Sequence, residues 1–389
     1  MIADIVANIP VEKGLNGCYT GIHNGVMLVA GGANFPNKEL WEGGKKKWYN
    51  SIFVLKKPKG DVTYKWAADL ILQLPEPLAY GASVTTKLGV LCIGGENGKN
   101  VVNSVFLLQW DKSTKQVCLK KMPFLPIPLC NMSACVINDV VYVVGGQTSL
   151  GGEATSHIFT LDLNLTPENQ KWESLVGFPG PGRNQAIVTG QYKGANIHLY
   201  VMSGVYFNRE QYPNTKMLSD VYEFDIINRK WTQMKDVPNN NTPLFPDGFI
   251  AAAPVLPIEK TNIIIFGGAG GENQPLAQKQ ELEQEIEVIK SNNYGNKVIL
   301  LEKIKTLENE SISLLRSTTF SRILWSYNTE KDSWIKLGTL PKNPQIVTNA
   351  LYWDNAIFIP GGEISPGVRT AGILKISINN IALNQSLQI

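Results

Sequence analysis

An apolar run ending on a pair of small residues recurs along this chain. It appears at Val26 to Gly32 (VMLVAGG), Gly89 to Gly95 (GVLCIGG), Val140 to Gly146 (VVYVVGG), His198 to Gly204 (HLYVMSG), Asn262 to Gly268 (NIIIFGG) and Ala356 to Gly362 (AIFIPGG). Each run has the length of a buried strand, and the glycines let the backbone turn without a Cβ penalty. After most copies come a loop, an alternating strand such as Ser219 to Asp225, a turn, and a tryptophan leading to a proline. These last pairs are Trp66 to Pro75, Trp172 to Pro179, Trp231 to Pro238 and Trp334 to Pro341. A fixed order of strands and turns repeated in this way predicts all-β structure with one antiparallel four-stranded blade per copy. The second copy departs from it, with Val117-Cys118-Leu119 where the tryptophan would stand. The tryptophans are read as packing between blades, since a large aromatic ring is worth most when buried.

The chain ends predict how the ring closes. The last copy has strands near Ile346 to Trp353, Ala356 to Ile359 and Gly372 to Ile376, but no tryptophan strand follows. Ile2 to Pro10 has the length and terminal proline of that missing fourth strand, so the N-terminus is expected to complete the final blade and remove an exposed sheet edge. The repeats resemble kelch repeats. The expectation is therefore a six-bladed kelch-type β-propeller spanning 1–389 as one domain, its ring closed by the N-terminal strand. One segment breaks the pattern. Between about 272 and 319, Gln- and Glu-rich sequence places Leu282, Ile286 and Ile289 at helical spacing, predicting a helical hairpin turning at Asn292 to Asn296. It reads either as a solvated decoration or homodimer contact, or as a lid.

Composition narrows the function. The 389 residues carry 36 basic and 33 acidic side chains, a net charge of +3, and aromatics spread among the blades, which leaves no nucleic-acid footprint. Cys18, Cys92, Cys118, Cys130 and Cys135 form no CxxC pair and read as buried free thiols. No stretch approaches the length of a membrane span, and the first residues lack a signal-peptide pattern. As it stands the sequence reads as cytoplasmic, or periplasmic if a leader preceded it. The three histidines, His23, His157 and His198, lie in a hairpin turn and in strand-like runs, which argues against a histidine metal site. The P-loop, GxSxG and GxGxxG motifs are absent.

The loops after second strands and the loops between blades open on one face of such a ring. This places Asn34, Glu96, Gln147, Glu363 and Arg369 at one mouth, with Arg183 arriving from Pro179-Gly180-Pro181-Gly182. Directly after the six small-residue pairs stand Ala33, Glu96, Gln147, Val205, Ala269 and Glu363, two of them acidic. A carboxylate near the axis and walled by strands suits proton transfer unless an arginine balances it. Structural readings stand beside these. Glu363 with Arg369 would brace a loop, Glu96 would cap the turn at Asn97-Gly98, Arg183 would tie blades through carbonyls, and Asn34 would shape its turn.

Gly361-Gly362-Glu363-Ile364-Ser365-Pro366-Gly367-Val368-Arg369-Thr370 is similar to the GEAxPGxRT-type segment of the kelch-propeller sialic acid mutarotases, or N-acetylneuraminate epimerases. Gly31 to Pro36, Gly94-Gly95-Glu96, Gly182 to Ala186 and the helical insertion also look like that family, so the resemblance covers nearly the whole chain. The blade order differs, with the glutamate-arginine segment near the C-terminus, and so resembles a circularly permuted branch. The resemblance implies interconversion of the α and β anomers of N-acetylneuraminate, with Glu363 and Arg369 catalytic. Arg183, Glu96 and Asn34 would bind substrate, and no cofactor or metal is required. A non-catalytic kelch interaction module, or an enzyme for another acidic sugar, are the competing readings.

Overall fold

Each of the six predicted repeats folds into one antiparallel four-stranded sheet. The computed structural model describes residues 1–68, 72–206, 216–238, 249–270, 276–291 and 297–377. Blades 1 to 5 begin with the strands Tyr19–His23, Ala82–Thr86, Ser133–Ile137, Ile187–Lys193 and Val255–Ile258, and each runs outward in chain order. These first strands contact one another around the axis. Six buried apolar clusters fill the gaps between neighbouring blades, so every sheet has both faces covered.

Blade 6 is composite. Its order is Leu351–Trp353, Ala356–Pro360, Gly372–Ser377 and, outermost, Ile2–Asn8. Ile2 lies opposite Ser377 and Asn8 opposite Gly372, which is the closure expected from the sequence. The first strand of this blade is shorter than expected because Ile346 and Val347 leave the sheet to join the hub.

The tryptophans latch consecutive blades. Trp66 Nε1 donates to Asn8 O, Trp172 to Pro123 O, Trp231 to Val176 O and Trp334 to Lys235 O, at 2.7, 2.8, 3.2 and 3.1 Å. Each ring thus packs at a blade's edge and satisfies its N–H on the blade before. All five cysteines are free, but Cys118, in the outer strand of blade 2, is exposed and not buried as expected.

The glycine pairs have a steric cause. Gly31, Gly94 and Gly145 have φ of +65°, +55° and +69°, and a Cβ there would lie 2.3 to 2.4 Å from the carbonyl oxygen of Leu78, Leu129 or Arg183 in the chain entering the next blade. The second glycine of each pair donates its N–H to that same oxygen. Just past these points Gly17, Tyr80, Asn131, Gln185, Ala252 and Val347 form a closed ring. Each donates its N–H to the carbonyl of the residue before it in that order, Gly17 closing onto Val347, at 2.7 to 3.3 Å. All six have left-handed φ, between 53° and 66°.

The insertion is helical. Leu276–Ser291 (α1) packs on Lys297–Ser317 (α2), with Ile286 and Leu307 buried and Lys303 paired to Glu285 at 2.6 Å. The expected turn at Asn292 to Asn296 lies outside the described residues. At the far end of α2 the Arg316 guanidinium sits 5.3 Å from the Trp41 ring, which belongs to a blade 1 loop. No described helix is long and apolar enough to cross a membrane.

Candidate active site

The mouth is built from two short ribbons that follow second strands. In blade 6, Glu363–Ser365 pairs with Val368–Arg369, and the register sets Glu363 directly opposite Arg369. In blade 1, Ala33–Asn34 pairs with Lys47–Trp48. Opposed residues on a two-stranded ribbon project side by side, so acid and cation reach the axis together.

These ribbons and the hub ring enclose a cavity of about 230 Å³. Asn16, Tyr80, Asn131, Gln185 and Val347 reach it from the chain between blades; Lys46, Glu96, Glu363 and Arg369 reach it from loops after second strands. Tyr80, Asn131, Gln185 and Val347 also border a second chamber of similar volume along the axis, so the hub ring partitions the channel.

Two hydrogen bonds and one ion pair hold the Glu363 carboxylate. Asn16 Nδ2 reaches Oε2 at 2.9 Å, the Gly367 N–H reaches Oε1 at 2.5 Å, and Arg369 Nη1 stands 3.5 Å from Oε1. Arg369 itself is underused. Its guanidinium stacks 4.7 Å from the Phe35 ring, while Nε and Nη1 are buried without a hydrogen-bond acceptor. A buried donor left open is costly unless a ligand completes it. Glu96 is 6% exposed and its Oε2 accepts from the Gly98 N–H at 2.6 Å, so it caps its own turn and also lines the cavity. Below it, burial and then the Glu96 charge push the Cys130 thiol up to about 12, which removes it as a nucleophile at neutral pH.

Three residues expected at the mouth do not line the cavity. Arg183 is fully buried in blade 4, forking onto both oxygens of Asp220 at 2.8 Å and onto Ser203 O at 2.9 Å, between the Phe178 and Tyr222 rings. Asn34 is spent on Glu12 O, Gly14 O and the Tyr49 hydroxyl, bracing the ribbon that carries Lys46 and Lys47. Gln147 accepts from Asn184 Nδ2 at 2.8 Å. Internal bonding takes up the polar atoms of Arg183 and Asn34, and the side-chain carbonyl oxygen of Gln147.

Asn16, Lys46 and the hub side chains were not singled out in the sequence. The run Gly43-Gly44-Lys45-Lys46-Lys47-Trp48 carried a signal, because it falls in the same post-glycine loop as Asn34. Asn16 carried none on its own.

A family model described as N-acetylneuraminate epimerase matches residues 3–117 and 122–387. The chain belongs to the N-acetylneuraminate epimerase family. An N-acetylneuraminate epimerase of Vibrio cholerae serotype O1 is 40% identical over 117 residues, 28% of each chain. One from Salmonella enteritidis is 25% identical over 259 residues, covering 67% of this chain and 59% of the relative. Both alignments span less than two thirds of those family members. The solved structure of YjhT superposes with a TM-score of 0.63 at 18% identity, covering 98% of this chain and 99% of that one. This likeness bears on the propeller fold; a ring of similar blades superposes in several registers and says nothing of blade order.

Proposed function

We propose that this protein interconverts the anomers of an acidic keto sugar, N-acetylneuraminate being the substrate the family name suggests. The observation that carries the reading is the opposition of Glu363 and Arg369 across one ribbon at the wall of a cavity of about 230 Å³, with Arg369 Nε and Nη1 buried and lacking a hydrogen-bond acceptor. A carboxylate sugar offers a charged acceptor of the kind this guanidinium lacks.

Anomerisation of a cyclic hemiketal requires a base to take the anomeric hydroxyl proton while the bond from the anomeric carbon to the ring oxygen breaks. The ring oxygen then takes a proton, and reclosure on the other carbonyl face reverses both transfers. Glu363, hydrogen-bonded by two donors, is the acceptor of the anomeric proton. Arg369 holds the sugar carboxylate, and Glu96 supplies a hydroxyl acceptor through its uncapped oxygen. A flat apolar face for a protein partner is not what this polar recess provides.

Exchange NMR on freshly released α-N-acetylneuraminate tests the reading. Wild type is expected to accelerate the exchange, and Glu363→Gln, folded by circular dichroism, to return it to the solvent rate. A Glu363→Gln protein as fast as wild type overturns the assignment, and a panel including other acidic keto sugars identifies the substrate.

A further inference from the structure

Ring opening needs a proton donor as well as an acceptor, and the Glu363–Arg369 ribbon supplies only the second. An arginine side chain does not release its proton in proteins. The Tyr80 ring is the platform on which the Lys46 ammonium rests, and one Glu96 oxygen is locked by the Gly98 N–H. One group on the cavity wall remains.

Lys46 lines the cavity beside Glu363, Glu96 and Arg369. Its ammonium stands 4.7 Å from the Tyr80 ring centre and 5.5 Å from that of Trp48, an aromatic cradle that attracts a cation without neutralising it. No ion pair to a carboxylate is formed by Lys46 among the described residues, whereas Lys13, Lys57, Lys65 and Lys87 each have one. Its backbone precedes Lys47–Trp48, the ribbon strand pinned by Asn34, so the side chain is delivered from a braced element. A charged lysine held between two aromatic faces at the wall of a cleft, with acceptors elsewhere in the same cleft, is a donor awaiting a partner.

We infer that Lys46 is the second proton-transfer residue of this site, giving its proton to the sugar ring oxygen as Glu363 takes the one on the anomeric hydroxyl. The inference rests on the anomerase reading above. The step balances: the bond between the anomeric carbon and the ring oxygen breaks, a C=O forms, one proton passes to Glu363 and one leaves Lys46. Ring closure returns both, and neither oxidant nor co-reactant is involved. The ammonium is well suited because the departing oxygen becomes far more basic than an amine as the bond breaks.

The test compares wild type, Lys46→Met and Lys46→Arg by exchange NMR at saturating N-acetylneuraminate across pH 6 to 10, with affinity measured by calorimetry. Methionine keeps the apolar stem on the aromatic cradle, and arginine keeps the charge but cannot give up a proton. Expected is a loss of exchange rate on the order of a hundredfold in both variants, with less than a tenfold change in affinity for Lys46→Arg. A Lys46→Arg protein at wild-type rate shows that charge alone matters and overturns the proton transfer, as does an unchanged Lys46→Met. If wild type itself gives no acceleration, the anomerase reading falls and this inference with it. Wild-type acceleration with unaffected variants removes only Lys46.

Discussion

Asn16 Nδ2 donates to Glu363 Oε2 at 2.9 Å across 347 positions of sequence. The donor lies in the chain entering blade 1 and the acceptor on the ribbon of blade 6, so the closure of the ring and the orientation of the carboxylate are one construction. The backbone of Asn16 is separately bridged to Ala33, which fixes the side chain's origin.

Asn16→Leu removes that donor while keeping the backbone bridge. A hydrogen bond to a charged group is worth about 1.5–3 kcal/mol of stability, so the thermal midpoint is expected to fall, and exchange to slow by roughly tenfold or more as the carboxylate loses its orientation. Exchange NMR and a melting curve on the same preparation check both.

Arg369→Ala deletes the open guanidinium. Binding of the acid sugar is expected to weaken roughly ten- to hundredfold, while a neutral hexose of similar size loses much less. Calorimetry on the two sugars decides; equal losses would dismiss the carboxylate contact.

Arg183→Ala is expected to act on stability and not on catalysis. It strands Asp220 and the Ser203 carbonyl in blade 4, and breaking a buried pair by removing one partner costs about 3 kcal/mol or more. Urea unfolding should shift to lower concentration while the exchange rate per folded molecule stays at the wild-type value.

His23 predicts a pH effect. Its Nδ1 accepts the Trp110 N–H at 2.9 Å, joining blade 1 to blade 2, and burial with the Lys112 charge lowers its proton affinity. The folded state therefore binds its proton less readily than the unfolded chain, whose imidazole titrates near about 6.5. The stability is present above that value and is lost as pH falls through the lower folded one. Melting midpoints measured from pH 7 to pH 5 should decline, and His23→Asn, which keeps an acceptor but does not titrate, should flatten that part of the decline.

The blades were legible because glycine pairs and tryptophans answer to local geometry. The first glycine avoids a carbonyl 2.3 to 2.4 Å from its missing Cβ in blades 1 to 3, and the same left-handed backbone recurs at Ser203, Gly267 and Gly361 in the other copies. The N-terminal strand was legible because one blade lacked a fourth strand. Glu363 and Arg369 were legible as a pair because only five residues of ribbon separate them. Arg183 and Asn34 could not be placed by the same route. Whether an arginine beside the mouth faces the axis or folds back depends on Asp220 and on two aromatic rings, Phe178 and Tyr222, brought alongside by the fold. Lys46 and Asn16 escaped notice for the opposite reason, since their roles come from neighbours in space and not from a motif. The helical hairpin was legible as helix, but its stacking of Arg316 on Trp41 was not.

The hub hydrogen bonds run one way around the axis, each blade giving to one neighbour and receiving from the other, with no first or last link. Asn131 and Gln185, on the far arc from the Glu363 ribbon, are links of that circle and line the same recess. The wall of the catalytic recess is thus seated on a circle to which each of the six blades contributes one backbone link.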